Sequence, residues 1–497
     1  MRLVDVMDGG FNRQMEATSL AECQITGITC DSRQVQPGYL FAAIPGTQAD
    51  GRAFIPDAIR RGAAVILAPP GTELDDASAT VPLIAADNPR RQYALMAARF
   101  FADQPKTIAC VTGTNGKTSV ATFLRQIWSF ERYRCASAGT LGVVLGGFSG
   151  GGEPKLEHAI NLTTPDPADL HCSLAELAAH GVDRLALEAS SHGLSQYRLD
   201  GVRIAAAAYT NLTRDHLDYH GGMEGYLGAK LRLFTEIISD GGTAVVNADA
   251  LYAEAFTSAA RARGLRLMTF GTAGDDVTLH GLALDDMAQE LDLEVLGKRQ
   301  KVRLARPGAF QVANALAALS LAIATDSDPA EAIAALAHLE GVPGRVHHAG
   351  THAHGAEIYV DYAHTPDALK SILQALRPHT QGRLHVVFGC GGDRDPGKRF
   401  EMGVFAARDA DVVIVTDDNP RSEDPATIRA QAMGGCPEAV EIGNRREAIF
   451  HAIDGLAAGD TLVIAGKGHE TGQIIGDEIK PFDDIEVVRN ALQGGGK

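Results

Sequence analysis

The chain has 497 residues, of which 45% are apolar and 22% charged, an ordinary globular composition on a length that suggests about three domains rather than one core. A formal net charge of -17 argues against non-specific nucleic-acid binding, because a polyanion is repelled, while small anionic substrates need only a local basic pocket. Seven scattered cysteines without a C-x-x-C pair favour free thiols in a reducing compartment over a disulfide framework or a zinc site.

The first residues, MRLVDVMDGGFNR, carry early acids and no long apolar run, so no secretory signal and no membrane anchor is expected. Residues 1–103 read as a small α/β unit, with strands at 38–43 and 63–68, a helix between them at 55–61, and a closing helix at 90–101. Residues 104–340 alternate β-rich runs (107–111, 184–188, 205–211, 243–247) with helical ones, which implies βαβ units and a largely parallel sheet. The most apolar helical stretch, 313–324, is too short to cross a bilayer. A helix at 329–339 leads into a linker, Gly341-Val342-Pro343-Gly344-Arg345. In 341–497, four short apolar runs each end in a polar cluster: 358–360, 385–388, 412–415 and 462–465. As parallel strands they bring all four clusters to the carboxyl edge of one sheet, where open α/β sheets bind ligands.

The stretch TIACVTGTNGKTS, residues 107–119, carries the most chemistry. An apolar strand stops at Gly113-Thr114-Asn115-Gly116, and Lys117, Thr118 and Ser119 open a helix. Glycines let backbone N–H groups close on phosphate oxygens, the helix start adds its positive end, the lysine reaches the β/γ-phosphates, and the Thr118 hydroxyl is placed for Mg²⁺. The loop is one step shorter than the full pattern, since position 111 is Val. Glu188 ends a strand and is either a ligand for the nucleotide's Mg²⁺ or a cap for the next helix. His216, beside Asp215, is either a second metal ligand or a packed loop histidine. By itself Lys230 is a surface lysine. The run His347, His348, His352, His354 lacks helical ligand spacing and reads as a solvated hairpin.

Asp418-Asn419-Pro420-Arg421 forms a stiff loop, because Pro420 fixes its own φ and keeps Asn419 out of the helical region. It presents a carboxylate, an amide and a guanidinium together: Arg421 offers a fork for a carboxylate, and Asp418 and Asn419 accept from an ammonium. Arg394 and Glu470 on neighbouring loops add a second fork and a second acceptor. The set is a receptor for an amino-acid zwitterion.

Taken together, TGTNGKTS (112–119), LTTPD (162–166), LEASSHGLSQYR (187–198), TNLTRDHLDYHG (210–221), GAFQVANALAA (308–318), DYAHTPDAL (361–369), FGCGGDRDPGKR (388–399), DDNPR (417–421) and AGKGHE (465–470) resemble the Mur ligases of peptidoglycan synthesis, and within them the MurE type. The resemblance runs nearly end to end. It implies an N-terminal uridine-nucleotide domain, a central P-loop ATPase with a mostly parallel sheet, and a Rossmann-like C-terminal domain for the incoming amino acid. It further implies that Cys30, Ser32, Gln48, Thr163, Thr164, Ser190, Gln196 and Arg198 hold UDP-MurNAc-dipeptide, that Asn314 and Arg345 contact ATP, and that Gly466 joins the amino-acid site. It also implies that Lys230 is carbamylated, which turns an ammonium unable to ligate Mg²⁺ into an anionic oxygen donor. Gln311, Thr47 and Leu162 depart from the family pattern at the adenine and uridine contacts. The expected enzyme is a cytoplasmic monomer using ATP and two Mg²⁺ to add meso-diaminopimelate. L-lysine addition is the rival within the class, and a P-loop NTPase or kinase the rival outside it.

Overall fold

The computed structural model describes residues 1–7, 23–46, 49–74, 81–148, 154, 156, 163–285 and 288–494. Thr47, Gln48 and Leu162 therefore lie outside the described residues. Three sheets succeed one another along the chain.

The first sheet holds β1 (Gly27–Thr29), β2 (Tyr39–Ala42), β3 (Val65–Ala68) and β4 (Leu83–Ala85), paired in that order and all parallel. The helix Pro89–Phe101 covers it, with Pro89 in its first turn and Asn88 as cap, accepting from the Arg91 N–H at 3.0 Å. Tyr93, Met96 and Ala97 of that helix pack on Leu40, Ala42, Val65 and Leu67.

The central sheet has ten strands: β5 (Thr107–Thr112), β6 (Cys135–Gly139), β7 (Gly142–Gly146), β8 (Arg184–Glu188), β9 (Ile204–Tyr209), β10 (Ile238–Asn247), β11 (Arg266–Gly271), β12 (Val277–Asp285), β13 (Ala288–Val295) and β14 (Lys298–Leu304). Their order is β14-β13-β12-β11-β10-β9-β5-β8-β6-β7. The middle strands are parallel, and both faces are covered. The helices Lys117–Phe130 and Ala309–Ala324 pack on one face through Phe123, Ile127, Val312 and Leu316; Pro167–Ala179 and Met223–Arg232 pack on the other through Leu170, Leu174 and Tyr226. Double coverage explains why β5 and β8 read as unbroken apolar runs rather than alternating ones. The sheet is largely parallel, as expected, with the antiparallel pair β6–β7 at one side and, at the other, the antiparallel edge β12–β14. Its charged residues are matched across the strands, Arg299 with Asp292 and Lys301 with Glu290.

The third sheet has the order β15-β16-β20-β17-β18-β19, with β15 (His347–Thr351), β16 (Glu357–Asp361), β17 (Leu384–Phe388), β18 (Val412–Val415), β19 (Val440–Glu441) and β20 (Thr461–Ala465). Strands β16, β20, β17 and β18 are parallel, so their four polar clusters do share one edge. The histidine run begins the antiparallel pair β15–β16, with His348 against Glu357. A small hairpin of β21 (Gly472–Ile475) and β22 (Glu478–Pro481) follows β20. Among the described residues, no helix is long and apolar enough to cross a membrane.

Candidate active site

The carboxyl ends of the central and third sheets face each other across a cleft of about 610 Å³. The cleft is lined by Thr114, Asn115, Gly116, Lys117, Thr118, Ser119, Thr163, Thr164, Glu188, Ser190, Arg198, His216, Asn314 and Arg345 from one side. Arg394, Asp418, Asn419, Arg421, Gly466 and Glu470 line it from the other.

The phosphate-type loop leaves β5 at Gly113 and enters its helix at Lys117. Gly116 has φ +92°, and a Cβ there would collide with the Asn314 carboxamide; one at Gly113 would collide with the Thr210 hydroxyl. Only glycine meets both demands. Lys117 Nζ donates to the carbonyls of Gly113 (3.0 Å) and Thr114 (2.9 Å), and burial lowers its pKa. The Thr118 hydroxyl lies 3.1 Å from Glu188 Oε2 and accepts from Arg345 at 3.3 Å. The Arg345 guanidinium also lies over the Tyr362 ring at 4.2 Å, and its buried Nε has no hydrogen-bond partner among the described residues. A buried donor without an acceptor is costly unless a ligand supplies one, and an anionic oxygen beside Thr118 would do so. Asn314 donates to Gln311 Oε1 at 3.3 Å, so both are engaged within their own helix.

Glu188 ends β8 and accepts three bonds: from Thr118, from the Thr140 N–H (2.8 Å) and from the Thr140 hydroxyl (3.0 Å). The helix-cap reading of Glu188 is excluded, because the cap of the next helix is Ser190, which accepts from the Gly193 N–H. Thr140 sits at the β6–β7 turn and had no sequence signal; it also lies 3.0 Å from the Thr163 hydroxyl. Thr164 bonds the Glu188 carbonyl and the Ser190 N–H, and Arg198 donates to the Thr164 carbonyl at 2.6 Å while its fork meets Gln196 Oε1. Gln196 stands behind Arg198 and bonds the Tyr219 hydroxyl. Cys30 and Ser32 come from the first sheet. Cys30 Sγ reaches Asp166 Oδ2 at 3.2 Å, which ties that sheet to the Thr163–Thr164 segment, and Ser32 is buried in the turn Ser32–Gln34.

Lys230 corrects the bare reading from sequence. It is 1% exposed, not a surface side chain, and its Nζ donates to the Gly113 carbonyl at 2.7 Å, directly behind the loop. Burial, with Lys117 nearby, holds its pKa well below the ordinary lysine value. His216 has the left-handed φ of +54° and lies 3.3 Å from Asp215; burial pushes its pKa down to about 4, a neutral imidazole at neutral pH. Asp215 also meets His364 from the third sheet at 3.9 Å.

On the far wall, Arg421 takes φ +52°, a strained value for an arginine, held by its N–H on the Ile474 carbonyl. Its NH1 donates to the Gly392 carbonyl at 2.7 Å; Arg394 NH1 donates to the Asp393 carbonyl at 3.0 Å. Among the described residues neither guanidinium has a carboxylate partner. Burial and the neighbouring Arg394 both lower the pKa of Arg421. Two unpaired guanidiniums side by side call for an anion. Asn419 differs from expectation: its Oδ1 accepts from Lys467 Nζ (3.1 Å) and the Ile474 N–H (2.9 Å), and its Nδ2 donates to Glu470 Oε2 (3.0 Å). Its amide oxygen is therefore taken within the protein and not open to an ammonium. Pro420 is buried behind it.

Three family models match the chain in order: the Mur ligase family catalytic domain over residues 24–108, the Mur ligase middle domain over 111–322, and the Mur ligase glutamate ligase domain over 344–468. The chain belongs to the Mur ligase family. It is 51% identical over 479 residues to the UDP-N-acetylmuramoyl-L-alanyl-D-glutamate–2,6-diaminopimelate ligase of Mesorhizobium japonicum, across 96% of this chain and 97% of that protein. To the protein of the same name from Bradyrhizobium diazoefficiens it is 52% identical over 481 residues, across 95% and 96%. A solved structure of a ligase with that name, 33% identical, superposes with a TM-score of 0.69 over 97% of this chain and 98% of the other. MurF from Thermotoga maritima in complex with ADP, 18% identical with a TM-score of 0.61 over 95% and 98%, shares the fold.

Proposed function

We propose that this chain is an ATP-dependent amide ligase that adds meso-2,6-diaminopimelate to UDP-N-acetylmuramoyl-L-alanyl-D-glutamate in peptidoglycan precursor synthesis. The observation that carries the reading is the unpaired couple Arg394 and Arg421 facing the acceptors Asp418 and Glu470, across one cleft from a phosphate loop. The family and the relatives' names support it. In this reading residues 1–103 bind the uridine nucleotide, 104–340 bind ATP and 341–497 admit the amino acid.

The γ-phosphoryl group passes to an oxygen of the D-glutamate side-chain carboxylate, and ADP leaves. The amine of diaminopimelate then attacks the acyl carbon, loses a proton, and the C–O bond breaks to release phosphate. Phosphoryl transfer is mostly positioning and charge stabilisation, which falls to Lys117, the loop N–H groups of 113–119 and Arg345, with Asn314 beside Gly116. Cys30, Ser32, Gln48, Thr163, Thr164, Ser190, Gln196 and Arg198 hold the UDP-MurNAc-dipeptide. Arg394 and Arg421 take the distal carboxylate, Asp418 and Glu470 the distal ammonium, and Asn419, Pro420 and Gly466 shape the pocket.

The donor set fits Mg²⁺: the Thr118 hydroxyl and Glu188 carboxylate stand together, and His216 offers a neutral nitrogen. Two ions, when bound, would neutralise phosphate charge. Lys230 would contribute as a carbamate, since a buried amine with a lowered pKa is the neutral nucleophile that carbon dioxide requires. The enzyme is read as a cytoplasmic monomer. A phosphate-release assay with the UDP-dipeptide and a panel of amino acids tests the reading. Turnover dependent on diaminopimelate is expected; turnover with L-lysine instead, or phosphate release without any amino acid, overturns it.

A further inference from the structure

Lys467 follows β20 in the loop that carries Gly466 and Glu470, and its side chain is 0% exposed. It does not line the cleft. Its Nζ donates to Asn419 Oδ1 at 3.1 Å and to Glu470 Oε2 at 3.0 Å, and lies 3.9 Å from Asp418 Oδ1. One buried cation thus faces three side chains of its own wall of the cleft. A buried cation is costly unless acceptors surround it, so the arrangement is held tightly or not at all.

The pattern of used and unused oxygens is informative. Glu470 Oε2 receives both Lys467 and the Asn419 amide, which leaves Oε1 without a protein donor among the described residues. The Asp418 side-chain oxygens, in a residue 6% exposed, accept no hydrogen bond among the described residues. A buried carboxylate, Asp418, and a half-exposed one, Glu470, are therefore held near each other by a cation that leaves their remaining oxygens toward the cleft. The backbone is tied in as well: Gln473 Nε2 donates to the Asp418 carbonyl at 2.6 Å, and the Ile474 N–H donates to Asn419 Oδ1.

We infer that Lys467 is the positioning residue of the amino-acid subsite: it fixes Glu470 and Asn419 from behind and offsets the charge of Asp418 and Glu470, so that both accept from the ammonium of the incoming amino acid. It touches no substrate. The inference rests on the diaminopimelate reading above.

Steady-state kinetics of wild type, Lys467→Met and Lys467→Arg test it, with KM measured separately for diaminopimelate, ATP and the UDP-dipeptide. Losing a supporting group behind a ligand contact typically costs roughly 10- to 100-fold. Lys467→Met is expected to raise KM for diaminopimelate by that factor, with the other two KM values within about 2-fold of wild type. Lys467→Arg, which keeps the charge on a wider head, is expected to recover part of the loss. Combined with Glu470→Gln, Lys467→Met is expected to add little, because it acts through Glu470. An unchanged KM for diaminopimelate in folded Lys467→Met, an equal rise in all three KM values, or failure of both variants to fold would overturn the inference. Wild type that does not turn over diaminopimelate sinks the functional reading instead, so the two failures are separable.

Discussion

Arg214, beyond the end of β9 in the central sheet, grips both oxygens of Asp395, in the loop after β17 of the third sheet: Nε to Oδ2 at 2.8 Å and NH2 to Oδ1 at 3.1 Å. The same guanidinium reaches Glu401 at 3.0 Å. This fork spans the two walls of the cleft. Its side chain is 39% exposed, so the pair is worth about 1 kcal/mol, roughly 5-fold, and weakens in salt. Arg214→Ala is expected to lower kcat/KM for diaminopimelate by roughly that factor at low ionic strength and by less in concentrated salt. A loss that does not shrink with salt would mean that the fork does not join the walls electrostatically.

Lys117→Ala is expected to abolish ligation while the fold survives. Removing one stabilising contact to a developing charge costs ~3–4 kcal/mol, on the order of 10²–10³ in rate. Circular dichroism and a phosphate-release assay decide it; wild-type turnover in the folded variant would remove the loop from the chemistry.

Lys230→Ala is expected to be nearly inactive and partly rescued by a small carboxylic acid that fills the vacated oxygen position. The side chain is fully buried against the loop, so a cavity is left for the additive. Full unrescued activity would return Lys230 to a packing role.

Arg421→Ala is expected to erode the preference for diaminopimelate over L-lysine. Lysine lacks the distal carboxylate, and leaving a half-buried guanidinium without its partner costs about 2 kcal/mol, the low end for a buried pair, a selectivity of roughly 30-fold. The ratio of kcat/KM values in wild type and variant is the measurement, and an unchanged ratio refutes the role.

His171 gives a pH prediction for stability. It is buried, its Nε2 is 3.1 Å from the Asp200 carbonyl, and desolvation pushes its pKa down to about 4. The unfolded chain takes up the proton below about 6.5, the folded one only near 4, so stability is lost as pH falls across that window, by up to about 3 kcal/mol for one such group. His364 and His469, also brought to about 4 by burial, act in the same direction. Thermal unfolding from pH 7 to 4.5 is expected to show a shallower decline for His171→Gln than for wild type; equal slopes would exclude His171 as a contributor.

The strand–loop–helix turn at 107–119 and the four polar clusters of the third sheet were legible in the sequence because each is local: a strand ends, and the polar residues follow within a few positions. Thr140, Lys467 and the true setting of Lys230 were not, because each acquires its meaning from a partner far along the chain, 48 residues away for Thr140 and Glu188. Strand β14, KRQKVRL, has only Val302 and Leu304 buried; its charges settle in a sheet through partners on β13 that no local pattern reveals. The amide of Asn419 was misread for the same reason, since the lysine and backbone N–H that occupy it lie 48 and 55 residues away.

Arg345 stands in the short connection between the central and third sheets, with one hand on Thr118 and its flat face on Tyr362. A ligand that claims the Thr118 hydroxyl must renegotiate that contact, and a swing of the third sheet must do the same from the other end. The connecting segment thus touches the phosphate-type loop directly as well as tethering the two sheets.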